Sequence, residues 1–179
     1  MIAQLSRRAR LAPYGFAVAG LALLTGCINS NGPLLTDGQP LIGDHPLLQF
    51  YVLRDGAVQE PSMETFRWRD GRYVPTGGTA TDIGPFTLHA FAGPDLIAQS
   101  ISPDHPSEYA VVRKLADGTY LIFVVDEQDA DDATRAKYCS SDHGDACLVT
   151  TPEAVLAFAR ATAAKPHATG GLALLMAEP

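Results

Sequence analysis

Three places in this 179-residue chain set an imidazole beside a carboxylate: Asp44-His45, Asp104-His105 and Asp142-His143. Imidazole and carboxylate are ligand types that zinc takes, and the same pair can serve as base and orienting group in hydrolysis. Brought together by the fold, His45, His105, His143 and Asp142 would form a metal centre or the site of a hydrolase. The first two pairs run on into proline. A residue before proline is driven to extended backbone and Asp favours turns, so the same residues also read as turns that lead into strands. Asp126, Glu127, Asp129, Asp131 and Asp132 offer oxygen ligands for calcium, but the glycine and terminal glutamate of an EF-hand loop are missing at the required offsets. Arg67, Arg69 and Arg72 are suited either to clamping an anionic group or to a plain solvent-facing surface.

The chain lacks a Gly-x-Ser-x-Gly elbow, a His-Glu-x-x-His pair, a Cys-x-x-Cys pair and a phosphate loop. A catalytic site assembled from distant positions leaves no such local signature, so these absences weigh only mildly against an enzyme.

Three cysteines remain. Before Cys27 come Arg7, Arg8 and Arg10 with no acid, then an apolar run from Leu11 to Leu24, then small residues, which is the order of a secretory signal. The run is shorter than the roughly 20 residues a membrane-crossing helix needs. Leu24-Thr25-Gly26-Cys27 resembles the lipobox of bacterial lipoproteins. The resemblance implies cleavage before Cys27, a diacylglycerol on its sulfur and acylation of the new amino group; two or three chains then make a stable anchor. Ile28 is not the aspartate that retains enterobacterial lipoproteins in the inner membrane, so the resemblance implies an outer-membrane protein facing the periplasm. With Cys27 acylated, Cys139 and Cys147 are an even pair in an oxidising compartment, where a disulfide is expected over a metal-binding or nucleophilic thiol.

Loss of residues 1–26 removes three arginines and no acid, leaving ten basic against twenty acidic residues, a formal charge of −10. Such a surface disfavours nucleic acid as a partner. About 150 residues make one domain with a proper core.

The positioning elements follow from pattern. Residues 27–46, rich in Asn, Gly, Pro and Asp, read as the lipidated N-terminus and a tether, unless Leu34, Leu35, Leu41 and Ile42 dock on the domain. Residues 47–179 read as one β-rich domain. "LLQFYVL", "FRWR" and "YAVVRKLA" each run into an Asp-Gly step, at 55–56, 70–71 and 117–118, of the kind that makes tight hairpin turns. With Asp70 and Gly71 as loop residues, Arg69 faces Arg72 and Trp68 faces Tyr73, placing Phe66, Trp68 and Tyr73 on one face and the three arginines on the other. The same register at 117–118 sets Leu115 opposite Tyr120 and Val112 opposite Phe123. "FTLHAF" and "DLIAQSI" are two further strands. "TPEAVLAFARATAA" is a helix capped by Thr151, with Val155, Phe158, Ala159 and Thr162 on one face, and "LALLMA" is a last strand. The expected fold is mainly β: an antiparallel curved sheet or partly closed barrel with a C-terminal helix packed on it.

These readings favour a lipid-anchored, non-enzymatic binding or envelope-structural module that needs no cofactor. The alternative is a periplasmic hydrolase or metal-binding protein using the Asp/His pairs. Tyr51, Trp68, Tyr73 and Tyr120 are either core or binding surface, and core is the expected role. The partner-facing surface would then be polar and its partner an envelope protein or glycan.

Overall fold

The computed structural model describes residues 27–54, 57–58, 60–78, 83–140, 147–165 and 170–176. Residues 1–26, on which the secretory-signal expectation falls, the Asp55-Gly56 step and the Asp142-His143 pair lie outside them. The strands are β1 (Ile28–Ser30), β2 (Leu47–Arg54), β3 (Ala57–Val58), β4 (Ser62–Arg69), β5 (Arg72–Gly78), β6 (Phe86–Ala92), β7 (Asp95–Ser100), β8 (Ser107–Ala116), β9 (Thr119–Val124), β10 (Cys147–Leu148) and β11 (Gly170–Met176). Two helices, α1 (Asp132–Tyr138) and α2 (Pro152–Ala164), fall between β9 and β11.

Eight of the strands close on themselves. Round the ring run β2, β4, β5, β6, β7, β8, β9 and β11, each antiparallel to the next, and β11 returns to β2 through seven residue pairs from Gly170↔Leu53 to Met176↔Leu47. The ring follows chain order, so this is an up-and-down barrel. The expected β-rich, antiparallel class holds, but the sheet is a fully closed barrel, not a curved sheet or a partial one. Closure removes the edges that an open sheet would leave unpaired.

Alternation along each strand sorts side chains between lumen and exterior. Leu48, Phe66, Tyr73, Leu88, Val112, Tyr120 and Ala173 fill an inner core, with Trp68, Phe86, Ala98 and Ile122 partly buried beside them. Outside, Ile97, Tyr109, Val111, Phe123 and Val125 form a second core with Ala154, Val155, Phe158 and Ala159 of α2. Transmembrane barrels show an apolar exterior and polar lumen; here the lumen is apolar and the outer face carries exposed Arg67, Arg69 and Arg72. Among the described residues no helix is long and apolar enough to cross a membrane.

The helix matches its sequence in detail. Thr151 Oγ1 accepts from the Ala154 N–H at 3.3 Å, Pro152 occupies the first turn, and Val155, Phe158, Ala159 and Thr162 are buried. At its far end Arg113 Nη2 donates to the Ala163 carbonyl at 3.0 Å while the same guanidinium grips Asp95 at 2.7 and 2.9 Å. The helix packs on the barrel, though as the penultimate element, with β11 after it.

Of the two expected hairpin registers, one gives way. At Asp70-Gly71 the register is as anticipated, Arg69↔Arg72 and Trp68↔Tyr73, with both loop residues at positive φ (52° and 77°). At the second turn only Gly118 is at positive φ, the pairs are Lys114↔Tyr120 and Ala116↔Thr119, and the ladder shifts at Leu115. Val112 therefore faces Ile122, and Leu115 is turned to solvent at 56% exposure. A bulge of this kind lets Val112, Tyr120 and Ile122 all point inward, which an unbroken ladder from the same turn does not allow.

Residues 28–46 are no extended tether. Ile28 is fully buried, β1 pairs with both β8 and β10, and Leu34 and Leu35 rest on the outer core. Gln99, itself fully buried on β7, accepts from the Leu34 and Leu35 N–H groups at 2.9 and 2.8 Å and donates to the Leu35 carbonyl. The segment continues through Gln39 N–H to Leu88 O and ends with Asp44 and Pro46 carbonyls accepting from Trp68 and Phe66. Docking of Leu34, Leu35 and Ile42 is the alternative the sequence offered to a tether, while Leu41 is exposed; the other anchoring groups are mostly backbone, satisfied one after another along the barrel wall.

Candidate functional site

The inner faces of the strands leave a cavity of about 290 Å³. Leu48, Phe50, Phe86, Leu88, Ala98, Val112, Ile122 and Ala173 supply its walls. Eight strands give an interior just wide enough either to be filled by side chains or to hold one small ligand. Here small residues decide between the two: Ala98, Ala110 and Ala173 stand where larger side chains would close the space.

One end is shut. Ile42 enters the inner core there, its N–H donating to the Tyr73 hydroxyl at 3.1 Å while that hydroxyl donates to the Gly43 carbonyl at 3.0 Å. Burial pushes the Tyr73 phenol up to about 12, so it serves as a neutral clasp. Tyr73 stacks on Phe86 (5.0 Å between ring centres) and meets Trp68 edge-on at 4.9 Å; Phe66 meets Phe86 at 5.1 Å. These contacts make a rigid aromatic floor.

Among the described residues the opposite end is open. Ser100, Glu108 and Val124 stand at the strand ends that reach it, and Ile83, Gly84 and Pro85 run beside the opening. Ser100 Oγ accepts from the Glu108 N–H at 2.8 Å. Glu108 is exposed and is the one charged residue among the described residues lining the cavity. A second carboxylate, Glu64, is buried on the inner face opposite Leu48. β5 and β6 pair only at Tyr73↔Phe86, so the wall is least tied between these two strands.

The sequence-nominated groups do not converge. Asp44 and His45 are exposed at the shut end, while Asp104 and His105 are exposed in the β7–β8 connection at the open end. β8 runs between those ends, and its nine steps span about 30 Å at roughly 3.3 Å per residue. The three-histidine centre is therefore not formed, whatever the placement of Asp142 and His143, which lie outside the described residues. Arg67, Arg69 and Arg72 line the solvent face, with Arg69 paired to Asp70 at 3.2 Å. The acidic run acts locally as caps: Asp126 accepts from Gln128 N–H at 2.8 Å and Asp131 from Thr134 N–H at 2.7 Å, a bond that lowers the Asp131 carboxyl. Glu127 lies close to the sulfurs of Cys139 and Cys147, but these form a disulfide and are spent as metal ligands.

Of the four aromatics, Tyr73 and Tyr120 are buried in the inner core and Trp68 packs beside them; Tyr51, opposite Leu172, faces outward. The sequence reading overlooked the lumen, and also His89. That ring is buried outside the barrel under residues 36–37, sharing a 2.9 Å hydrogen bond with Thr87, and burial lowers its pKa. Alternation in "FTLHAF" does place Thr87 and His89 on one face and Phe86 and Leu88 on the other.

No protein-family model, no curated protein and no solved structure matches this chain. The class is defined by the fold and site alone: a small closed antiparallel barrel whose apolar lumen, among the described residues, is open at one end.

Proposed function

We propose that this chain is an exported binding protein, lipid-anchored at Cys27, that holds a small apolar molecule in its barrel lumen and performs no chemistry on it. The observation that carries the reading is the cavity: about 290 Å³, walled by aliphatic and aromatic side chains and open at one end. Ligand sites are commonly apolar concavities of about 300 Å³ or more with a few polar groups to orient the ligand, and Ser100 and Glu108 stand where such groups are needed. The export and anchor half rests on the Leu24–Cys27 resemblance, and the Cys139–Cys147 disulfide suits an oxidising compartment. With His45 and His105 at opposite ends, only the three-histidine version of the hydrolase alternative loses its support.

The test is titration with a dye that fluoresces in apolar surroundings, N-phenylnaphthylamine. Wild type is expected to bind one dye per chain, and Ala98→Trp to bind none. Equal binding by the two would overturn the lumen reading. A palmitate analogue fed to cells is expected to label wild type and not Cys27→Ser; label retained by the variant would refute the anchor.

A further inference from the structure

The place where the chain meets its anchor is the mouth of the barrel. In antiparallel pairing, residues directly opposite share a face. Asn29 is paired with Glu108, so β1 turns Asn29 to the side of the sheet that Glu108 occupies at the opening. Ile28 and Ser30 point the other way: Ile28 is part of the outer core and Ser30 Oγ meets the Tyr109 hydroxyl at 2.6 Å. By the same alternation Cys27 falls on the Glu108 side. Its bridge to Asp126 agrees, since Asp126 continues the face of lumen-lining Val124.

No slack separates this point from the barrel. Ile28 N–H donates to Val125 O at 3.1 Å, and Val149 N–H donates to Asn29 O at 2.8 Å. Cys27 is itself buried at this point, so a diacylglycerol on its sulfur would start from the rim itself. The apolar run from Leu11 to Leu24 ends three residues earlier, so a retained run would bring the bilayer to the same point.

We propose that the barrel sits mouth-down on the bilayer and that its lumen takes up an acyl chain of a zwitterionic membrane phospholipid. This deepens the lumen-and-anchor reading above and rests on it. The geometry supplies a short path: a chain leaving the membrane at the rim meets Val124, Ile122 and Phe50 without crossing water. Charge selects the lipid. Exposed Glu108 stands at the rim of a domain with formal charge −10, which repels anionic headgroups and faces the ammonium of a zwitterionic one. The shut end, with exposed Arg69 and Arg72 at its β4–β5 turn, points away from the membrane.

The full lipidated protein is reconstituted into vesicles of phosphatidylethanolamine and phosphatidylcholine carrying nitroxide headgroups. A fluorophore is placed at the rim through Asp104→Cys or at the shut end through Arg69→Cys. Rim fluorescence is expected to be quenched several-fold more than fluorescence at the shut end; equal or reversed quenching would overturn the orientation. In a second measurement, donor vesicles carry a self-quenched phosphatidylcholine with a fluorescent acyl chain. Wild type is expected to take up one lipid per chain and Ala98→Trp none. Wild type that takes up no lipid overturns the proposal, and two controls say why. If Cys27→Ser protein does take it up, the anchor's own chain fills the lumen. If Cys27→Ser protein binds N-phenylnaphthylamine but no lipid, the proposal fails and the lumen reading stands; if it binds neither, the lumen reading fails as well.

Discussion

His89 is an ionisable group buried outside the barrel wall, and its surroundings make a pH prediction. Burial lowers its pKa from the ordinary value of 6.5, only partly offset by the Thr36 backbone and Asp37. Below pH 6.5 the unfolded chain takes up a proton that the folded chain resists, so acid favours unfolding. Stability is complete above the ordinary value and is lost as pH falls from there toward the depressed folded value. Urea midpoints are expected to fall between pH 7.5 and 5 in wild type and to fall less in His89→Gln. Equal slopes would show that His89 is not the group responsible. Gly38 makes the complementary case, because a Cβ there would lie 2.9 Å from Thr87 Cβ and 3.2 Å from the Gly71 carbonyl. Gly38→Ala is expected to cost about 1–3 kcal/mol by overpacking, read from the urea midpoint.

At the scale of elements, local grammar was legible wherever one residue type enforces one geometry. Thr151 and Pro152 begin α2 because a hydroxyl satisfies a free N–H and proline needs none. Asp70-Gly71 sets its hairpin because both positions accept positive φ. The Asp117-Gly118 hairpin was misread at Leu115, since a bulge depends on which side chains the rest of the barrel wants inside. Docking of residues 28–46 was legible as an alternative in Leu34, Leu35 and Ile42, but its partners were not, for a related reason: Gln99, Tyr109 and Tyr73 lie from about thirty to eighty residues away. Two outcomes test these elements. Phe158→Ala removes the fully buried anchor of α2 and is expected to cost about 3–5 kcal/mol in chemical denaturation. Reducing Cys139–Cys147, whose separation is 8 residues, is expected to cost about 2.5 kcal/mol in the chain-entropy model, with melting followed with and without reductant.

For the whole molecule the decisive fact is closure, and closure is non-local: Leu47 at the start of β2 pairs with Met176 at the end of β11. Alternation marks each strand as half-buried but does not say whether the last returns to the first, so neither the lumen nor its mouth could be read in advance. The candidate site suffered most, because its defining feature is the space left by Ala98, Ala110 and Ala173, residues with no chemistry of their own. β11 carries this closure, bonded to β2 on one side and to β9 on the other. A chain ending after Lys165 would leave both neighbours with an unpaired edge and open the inner core to water. Such a chain is expected to lose near-ultraviolet circular dichroism, the sharp urea transition and dye binding together. Retention of a cooperative transition would mean that the other seven strands fold as an open sheet. Dye binding by that sheet would place the ligand on an exposed apolar face instead of inside a barrel.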